Sequence, residues 1–497
     1  MTFAANKQQT LEAYFEQFRK HIVGIQQRYQ TPYGDYRILY ADWTASGRLY
    51  DTIEHKILES FGPFVGNTHT ESNVTGTSMT QAYHLAQKII KDHVHAGAED
   101  VLLNVGYGMT AAINKLQRIL GLKIPERYRK SMSIPKDRRP IVFVTHMEHH
   151  SNQTTWLETM ADVVVIKQTG EGLVDLNDLK DLLQKYRHRK MKIGSFTACS
   201  NVTGVQPPYR AMAGLMHEHG GLCFVDFAAS APYVPIDMHP ADPLEKLDAI
   251  IFSPHKFLGG PGASGILIFD SHLYQLKSPD QPGGGTVLWT NPWGRHKFKT
   301  DIQEREDGGT PGFLQAIRSS LAVALKEEMG TEQMARREGE LVRKMFDGLQ
   351  RIPGLHILAD NVRERFGIIS FYFDAVHYNL VVRLLNDRFG IQMRGGCSCA
   401  GTYGHYLLHV DKYTSKRITD KIDHGDLSIK PGWVRMSIHP TTTDAEVEEI
   451  VSALTQIGAQ WSIWAEDYKY DSQSNEFFHK NDGNRLQHIV EQWFRFS

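Results

Sequence analysis

Cysteine is scarce in this sequence: only Cys199, Cys223, Cys397 and Cys399 occur among 497 residues. So few cysteines in so long a chain do not form the disulfide framework of a small secreted domain. Two of them stand close together, as Cys397-Ser398-Cys399, in a glycine-rich stretch. The composition favours a protein of a reducing compartment, and we expect a cytoplasmic localisation.

The sequence also has little excess charge and no long apolar run. Its 55 basic and 56 acidic residues leave a formal net charge of -1, which argues against a nucleic-acid surface or a polybasic membrane patch. No run approaches the ~18–20 apolar residues that cross a membrane. The first residues, MTFAANKQQTLEAYFEQF, contain no apolar core of a signal peptide. We therefore expect neither a nucleic-acid partner nor a membrane association.

Between residues 100 and 270 the chain alternates short apolar runs with helical stretches, for example those at 79–94 and 175–188. The β-branched, almost continuously apolar runs are typical of strands buried on both faces of a parallel sheet. They are VLLN (101–104), IVFVT (141–145), DVVVI (162–166), IGSFT (193–197), LCFVD (222–226), AIIF (249–252) and GILIF (265–269). The alternation predicts an α/β fold with a large, mostly parallel sheet. Ligands of such sheets bind at the carboxyl ends of the strands.

The length is consistent with two or three domains. We predict an amphipathic helix over 8–29, a long helical stretch over 313–350, strands at 368–373 and 433–438, and a helix at 444–458. The predicted divisions are an N-terminal helical segment that belongs to the small domain (1–35), a large domain (36–310), a smaller α+β domain (311–460) and an aromatic-rich extension of unassigned role (461–497).

Lys256 follows the predicted strand AIIF and is followed by Gly259 and Gly260, which permit a sharp turn. A lysine that forms a Schiff base needs a desolvated pocket, so that part of the amine is uncharged. Asp226 ends the strand LCFVD, where a carboxylate can pair with the pyridine nitrogen of pyridoxal phosphate (PLP). Alone, Lys256 could be a surface lysine and Asp226 a turn residue; together they predict a PLP site.

Three further loops follow predicted strands. His149, in Glu148-His149-His150, offers a flat imidazole that can stack on a cofactor ring. The H-x-x-H-H spacing from His146 could also suggest a metal, but a third ligand and its supporting groups are not visible, and we expect no metal. Asn201, after the strand IGSFT, can hydrogen-bond the phenolic oxygen of the cofactor, although Asn is also common in plain turns.

The loop after VLLN has the strand–glycine–helix order that offers backbone N–H groups to a phosphate. It lacks the Gly-Lys-Ser/Thr of a nucleotide-binding loop. The residues expected to bind the phosphate here are Gly108, Met109, Thr110, Ser253 and His255. Each of these loops alone is weak; several of them, each after a predicted strand, form a more specific pattern.

From about Tyr40 to Leu454 the chain resembles the class V aminotransferases of PLP fold type I, and within them the cysteine desulfurase and selenocysteine lyase group. The segments that carry the resemblance are Tyr40-Ala41-Asp42-Trp43-Thr44-Ala45-Ser46, Asn67-Thr68-His69, Glu148-His149-His150-Ser151-Asn152, Ser200-Asn201-Val202-Thr203-Gly204, Val225-Asp226-Phe227-Ala228-Ala229-Ser230, Ser253-Pro254-His255-Lys256 and Gly284-Gly285-Thr286. The resemblance implies that Lys256 carries PLP and that His149 stacks on it. It also implies a homodimer in which Thr286 reaches the phosphate of the partner subunit.

The segment Met393-Arg394-Gly395-Gly396-Cys397-Ser398-Cys399-Ala400 resembles the R-x-G-x-x-C-A of cysteine desulfurases, with Cys399 at the position of the nucleophile. Arg435 matches the arginine that holds the substrate carboxylate, a task that suits its planar fork. Arg394, Asn67 and Ala45 are the other expected substrate-binding residues. The resemblance implies conversion of L-cysteine to L-alanine with a persulfide on Cys399, and a sulfur-acceptor protein as a possible partner.

Three positions depart from the family pattern. Ala229 stands where the family has Gln, so a hydrogen bond near the PLP phenolic oxygen is missing, and Ser230 could replace it. The family's E-x-G-T-P is Asp307-Gly308-Gly309-Thr310-Pro311, and a long insert separates Cys399 from Arg435. The G-C-x-C run with this insert also resembles the sulfurase domain that loads molybdenum cofactor.

The alternatives are another class V reaction, such as transamination, epimerisation or C–S or C–Se lysis, in which Cys399 is not a nucleophile, or a redox pair of Cys397 and Cys399. A non-catalytic protein with a PLP fold is a further alternative, but it predicts loss of Lys256, Asp226 or Arg435, all of which are present.

Overall fold

The computed structural model describes residues 10–68, 70–132, 134–481 and 485–496. Its α-helices are α1 (Leu11–Arg19), α2 (Asp51–His55), α3 (Val74–His93), α4 (Met109–Ile119), α5 (Glu126–Arg129), α6 (His150–Leu157), α7 (Leu176–Lys185), α8 (Tyr209–Glu218), α9 (Ile302–Glu306), α10 (Phe313–Met329), α11 (Thr331–Leu349), α12 (Tyr378–Phe389), α13 (Gly401–Leu407), α14 (Lys412–Asp423), α15 (Asp444–Trp464) and α16 (Arg485–Trp493).

Its strands are β1 (Arg28–Thr31), β2 (Gly34–Arg37), β3 (Leu39–Tyr40), β4 (Asp100–Val105), β5 (Ile141–Val144), β6 (Asp162–Val165), β7 (Lys192–Thr197), β8 (Leu222–Asp226), β9 (Ala249–Phe252), β10 (Gly265–Asp270), β11 (Val287–Thr290), β12 (His296–Phe298), β13 (Leu355–Ile357), β14 (Ile368–Phe373), β15 (Ile391–Gln392), β16 (Arg394–Gly396), β17 (Trp433–Ser437), β18 (Tyr468–Asp471) and β19 (Glu476–His479).

The central sheet has seven strands in the order β4-β10-β9-β8-β7-β5-β6. Strand β10 runs antiparallel to both of its neighbours, while the pairs from β9 to β6 are parallel. All seven predicted runs form strands of this sheet, and β5, β7 and β9 are buried along their whole length. The predicted α/β fold with a large, mostly parallel sheet is confirmed.

A second, antiparallel sheet has the order β13-β14-β17-β16. Its apolar core includes residues of α11, α12 and α15, such as Leu341, Leu384 and Leu454. The short strand β3 from the N-terminal part pairs in parallel with β15. Ala322 and Val323 of α10 lie instead in the core of the large sheet, although the sequence-based division begins the smaller unit at residue 311. That division stays a prediction.

The helix predicted over 8–29 is wrong beyond Arg19, and its first two positions, 8 and 9, lie outside the described residues. Thr10 caps α1, which ends at Arg19, and the chain then turns at Gly24, whose φ is +76°. Residues 28–31 pair with 34–37 as an antiparallel hairpin, because Pro32 cannot continue a helix and tyrosines favour a strand. The helical stretch predicted over 313–350 is likewise divided at Gly330, where φ is +74°.

The aromatic-rich end of the chain contains the hairpin β18–β19 and the helix α16. Asn475, in the turn of the hairpin, is buried and has a φ of +60°. Its Nδ2 donates to Tyr378 Oη at 2.6 Å, and its carbonyl accepts from Asn379 Nδ2 at 2.6 Å. These bonds fasten the hairpin to the start of α12. Among the described residues, no helix is both long enough and apolar enough to cross a membrane.

Candidate active site

A cleft of about 830 Å³ opens at the carboxyl ends of the central strands, between the two sheets. Most of the residues that the sequence predicted for a site contribute to its lining. They are Ala45, Gly108, Met109, Thr110, His149, Asn201, Asp226, Ser253, His255, Lys256, Arg394, Cys399 and Arg435. The structure brings these side chains together from both sheets, and their individual roles stay predictions.

Lys256 lies in the short turn that directly follows β9. The backbone of Gly47 donates to His255 O at 2.9 Å, and a side chain at Gly47 would collide with the carbonyl of Phe257. This close backbone approach fixes the turn. Burial lowers the pKa of the Lys256 amine to about 8, although the nearby Asp226 carboxylate opposes the shift. Lys256 therefore has a larger uncharged fraction at neutral pH than an ordinary lysine.

Asp226 ends β8 beneath the cleft and is buried. One carboxylate oxygen accepts from the backbone N–H of Ala228 at 2.8 Å. Burial raises the pKa of Asp226 to about 6, while the Ala228 hydrogen bond and the Lys256 amine oppose the shift. A buried carboxylate with one backbone donor is suited to pair with a cationic ring nitrogen.

The loop after β5 positions His149 at the cleft. Glu148 is buried and accepts from Thr145 N, Thr197 N and Asn152 Nδ2, so it ties the loop to β7. Burial, and after it the charge of Lys256, lowers the pKa of His149 to about 3. A neutral imidazole is therefore the form that faces the cleft at neutral pH.

The three histidines of this loop face different surroundings. His146 bonds Gly172 O at 3.2 Å, His149 lines the cleft, and His150 accepts from Gly401 N at 2.9 Å. Over residues 10–68, 70–132, 134–481 and 485–496, no three His, Cys, Asp or Glu side chains are grouped so that they could hold a metal ion.

A cup of small and polar groups lies where α4 begins. Gly108 has a φ of +149°, and a Cβ there would lie 2.9 Å from Ser253 Oγ, so only glycine fits. Met109 N donates to Ser253 Oγ at 2.9 Å, and the hydroxyls of Thr110 and Ser151 are 2.6 Å apart. Burial lowers the pKa of His255 to about 4. Hydroxyls and the N-terminus of a helix form a suitable anion site.

Arg435 lies deep in the cleft and makes two polar contacts. Its Nη2 donates to Asp42 Oδ1 at 2.8 Å, and its Nη1 donates to Asn201 O at 3.2 Å. The other oxygen of Asp42 accepts from Arg394 Nε at 3.1 Å. Arg435 Nε is buried and has no hydrogen-bond partner among the described residues. Asp42 thus holds two arginines. The Tyr40–Ser46 segment gives no local signal for this role, because both partners lie far along the chain.

Cys399 lies in the turn between β16 and α13. It is exposed and lines the cleft, whereas Cys397 is partly buried and does not line it. Cys199, which the sequence singled out only as a cysteine, is buried and also lines the cleft. Asn201 Nδ2 donates to Ser398 O at 2.7 Å, while Asn201 Oδ1 is buried without a partner among the described residues.

Two predicted site residues lie outside this cleft. Thr286 is fully buried, and its hydroxyl donates to Gly283 O at 2.7 Å within its own loop. Asn67 is exposed and accepts from Thr310 Oγ1 at 3.2 Å. The structure therefore does not bring Thr286 or Asn67 to the cleft of their own chain. His69 of the Asn67-Thr68-His69 segment lies outside the described residues.

The departure at Ala229 is visible in the cleft, because the Ala229 methyl contributes to its wall. The suggestion that Ser230 replaces the missing glutamine is not supported by position. Ser230 is buried and does not line the cleft. The residues of this segment that do line it are Asp226, Ala228 and Ala229.

Two curated relatives of this chain carry the same description. The chain is 26% identical over 371 residues to a probable cysteine desulfurase of Halalkalibacterium halodurans. The matched region covers 73% of this chain and 84% of that protein. It is 27% identical over 369 residues to a probable cysteine desulfurase of Staphylococcus epidermidis, with coverages of 73% and 83%.

Solved structures share the fold. The apo cysteine desulfurase of Thermococcus onnurineus has a TM-score of 0.71 at 22% identity and covers 89% of this chain and 98% of its own. A cysteine desulfurase of Escherichia coli has a TM-score of 0.68 at 23% identity, with coverages of 90% and 98%. A family model described as aminotransferase class-V matches residues 39–450. The resemblance found in the sequence is confirmed, and the chain belongs to the class V aminotransferase family.

Proposed function

We propose that this protein is a PLP-dependent cysteine desulfurase, which converts L-cysteine to L-alanine and retains the sulfur as a persulfide on Cys399. One observation carries the proposal: the amine of Lys256, the guanidinium of Arg435 and the thiol of Cys399 all line a single cleft. The relatives named above as probable cysteine desulfurases support the same reaction.

The cleft lining fits PLP. Lys256 would hold the cofactor covalently, Asp226 would pair with the ring nitrogen, and His149 would cover a ring face. The cup of Gly108, Met109, Thr110, Ser253 and His255 would bind the phosphate. One cleft atom supports the fit, because Asn201 Oδ1 is buried and has no partner within the described part of the chain. Bound PLP supplies an electron sink for the α-carbon of an amino acid.

Arg435 would bind the substrate carboxylate. Its Nε–H is free to donate, while Asp42 and Asn201 O occupy Nη2 and Nη1 and hold the guanidinium plane. A planar fork in a buried site gives a directional bond to a carboxylate. Arg394, about half exposed, would add a second positive charge at the mouth of the cleft.

Lys256 Nζ would carry the α-proton of the substrate. With a pKa of about 8, roughly one amine in ten is uncharged at pH 7 and can accept a proton. His149 stays neutral in the same pH range, because burial lowers its pKa to about 3, so it adds no positive charge beside Lys256.

Cys399 would attack the sulfur of the bound L-cysteine as a thiolate, which is the reactive form. A bond forms between Cys399 Sγ and the substrate sulfur while the substrate Cβ–S bond breaks. The electron pair of the broken bond stays with the substrate, whose Cβ gains a proton and becomes the methyl group of the L-alanine that leaves. The exposure of Cys399 would leave the persulfide accessible to an acceptor.

The test is to incubate the PLP-loaded protein with L-cysteine and to quantify L-alanine and reducible sulfur. We expect both products in equal amounts, none above background for Lys256→Ala, and a loss of at least about a hundredfold for Cys399→Ser. Cys397→Ser is the matched control, and it should keep most of the activity. Consumption of an amino acid without alanine, or equal activity of Cys399→Ser and wild type, would favour another class V reaction.

The same proposal includes a cytoplasmic homodimer. Tyr107 at the cleft is 92% exposed, and Leu288, Trp289 and Trp293 near the Gly284-Gly285-Thr286 loop are also exposed. Such apolar surface is typical of an interface. The loop of Thr286 would approach the cleft of the second copy through its exposed Gly284, because the Thr286 hydroxyl is buried within its own loop. Light scattering should give the mass of a dimer, and a monomeric mass would contradict this part of the proposal.

A further inference from the structure

The turn that carries Cys399 has an unfavourable backbone. Ala400 N donates to Cys397 O at 3.0 Å and closes the turn. The two central residues, Ser398 and Cys399, have φ values of +52° and +54°. Positive φ at both central positions is the pattern of a type I′ turn, which is normally built from glycine or asparagine. Residues with a Cβ adopt it only where surrounding contacts hold them.

His150 supplies two of those contacts from a distant segment. Its backbone N–H donates to Cys399 O at 2.7 Å. Its ring accepts the N–H of Gly401, the first residue of α13, at 2.9 Å. Two further contacts hold Ser398, whose carbonyl accepts from Asn201 Nδ2 and whose hydroxyl accepts from Trp433 Nε1 at 3.2 Å. Gln153, also of α6, accepts from Thr402 Oγ1 at 2.8 Å, but the N–H of Gly401 itself is held by the His150 ring.

We infer that His150 is a positioning residue that holds the Cys399 turn closed and keeps the thiol at the wall of the cleft. The inference rests on the proposed function, in which Cys399 is the nucleophile. His150 directly follows His149, so one short segment fixes both a ring-facing imidazole and the turn of the nucleophile. A thiol displaced by an ångström loses much of its reactivity toward a bound substrate.

The acceptor role requires an uncharged ring. Burial, and after it the charge of Lys430, lowers the pKa of His150 below the usual value. A neutral imidazole with its proton on Nδ1 presents a lone pair at Nε2, whereas the cation has none. The ring can therefore accept from Gly401 N at neutral pH.

The test uses three substitutions of His150 in the PLP-loaded protein. His150→Ala and His150→Phe remove the acceptor, and His150→Gln offers a carbonyl oxygen at about the place of Nε2. His405→Ala is the matched control, because its ring bonds Gly401 O instead of Gly401 N. We expect His150→Ala and His150→Phe to lower kcat for alanine formation about tenfold, which is about 1.4 kcal/mol, with KM changed less than about twofold. His150→Gln and His405→Ala should stay within about threefold of wild type.

A second readout does not depend on catalysis. Amide hydrogen exchange of the peptide around Gly401 should quicken about tenfold in His150→Ala and His150→Phe and stay unchanged in His150→Gln. Wild-type kcat and exchange in both acceptor-free variants would overturn the inference, as would equal losses in the Gln and Ala variants. If wild type itself forms no alanine, the proposed function fails, and the exchange data alone then decide whether His150 holds the turn.

Discussion

Replacing Asp42 by asparagine should lower the Tm of the protein. It should also increase the rise in Tm that a bound carboxylate ligand causes. Asp42 is the acidic partner of Arg435, and the two side chains are only 12% and 5% exposed. Removing one partner of a buried ion pair leaves an uncompensated charge, which costs about 3 kcal/mol or more. The ion pair of Asp42 with Arg394 adds little to this free energy, because the Arg394 side chain is 53% exposed.

A melting experiment can measure this effect. The entropy of unfolding is about 2.1 cal/mol/K per residue, or about 1 kcal/mol/K for this chain, so Tm should fall about 3 °C in Asp42→Asn. Asp420→Asn is the matched control, because its pair with Lys416 is 53% and 74% exposed and contributes less than about 0.5 kcal/mol.

A bound ligand with a carboxylate should stabilise the variant more than it stabilises wild type. A ligand carboxylate becomes the only anionic partner of Arg435 in Asp42→Asn, so saturating L-alanine should raise Tm more in the variant than in wild type. A variant as stable as wild type, with the same response to L-alanine, would refute the idea that Asp42 neutralises Arg435.

Three further predictions concern the cofactor cup, the lysine and the C-terminal hairpin. The rate at which the apoprotein captures PLP should rise about tenfold per pH unit up to about pH 8 and then level off. The reason is that the amine must lose its proton, and burial lowers the pKa of Lys256 to about 8. Stopped-flow absorbance measures this rate, and a pH profile with its midpoint near pH 10 would contradict the prediction. Gly108→Ala should weaken PLP binding about tenfold or more in an absorbance titration, since φ is +149° and a Cβ would press on Ser253 Oγ, whereas Gly214→Ala, with open space around the new Cβ, should bind PLP normally. Asn475→Ala should lower the free energy of unfolding by about 2 kcal/mol and expose residues 468–479 to proteases. The substitution removes the side-chain bonds to Tyr378 and Tyr470 at a position whose φ is +60°. The side chain of Gln473 is exposed, so Gln473→Ala should cause neither change.

The central sheet was predictable because its sequence signal is local. Runs such as IVFV and AIIF are apolar throughout, and β5 and β9 are buried at every position. The N-terminal helix was overextended because residues 20–29 keep an apolar spacing, and the turn at Gly24 and the pairing of β1 with β2 decide their conformation. Pairing with a neighbouring strand overrides local helical preference there.

The candidate site was predictable where its residues follow strands, as with Asp226 after β8 and Lys256 after β9. It was not predictable where two distant segments meet. Asp42 and Arg435 are 393 positions apart, so the sequence around Asp42 does not indicate which residue it pairs with. The turn at Cys399 has φ values that Ser and Cys rarely adopt, and it is held by contacts from distant segments, those of His150, Asn201 and Trp433.

The measurement closest to the central claim is the mass of the Cys399 peptide after a single turnover. PLP-loaded protein is mixed with one equivalent of L-cysteine, quenched with an alkylating reagent, digested and analysed by mass spectrometry. The proposed function predicts one added sulfur atom on Cys399 for each L-alanine formed, and no added sulfur on Cys397 or Cys199. L-Alanine formed without added sulfur on Cys399, or sulfur added at another cysteine, would contradict it.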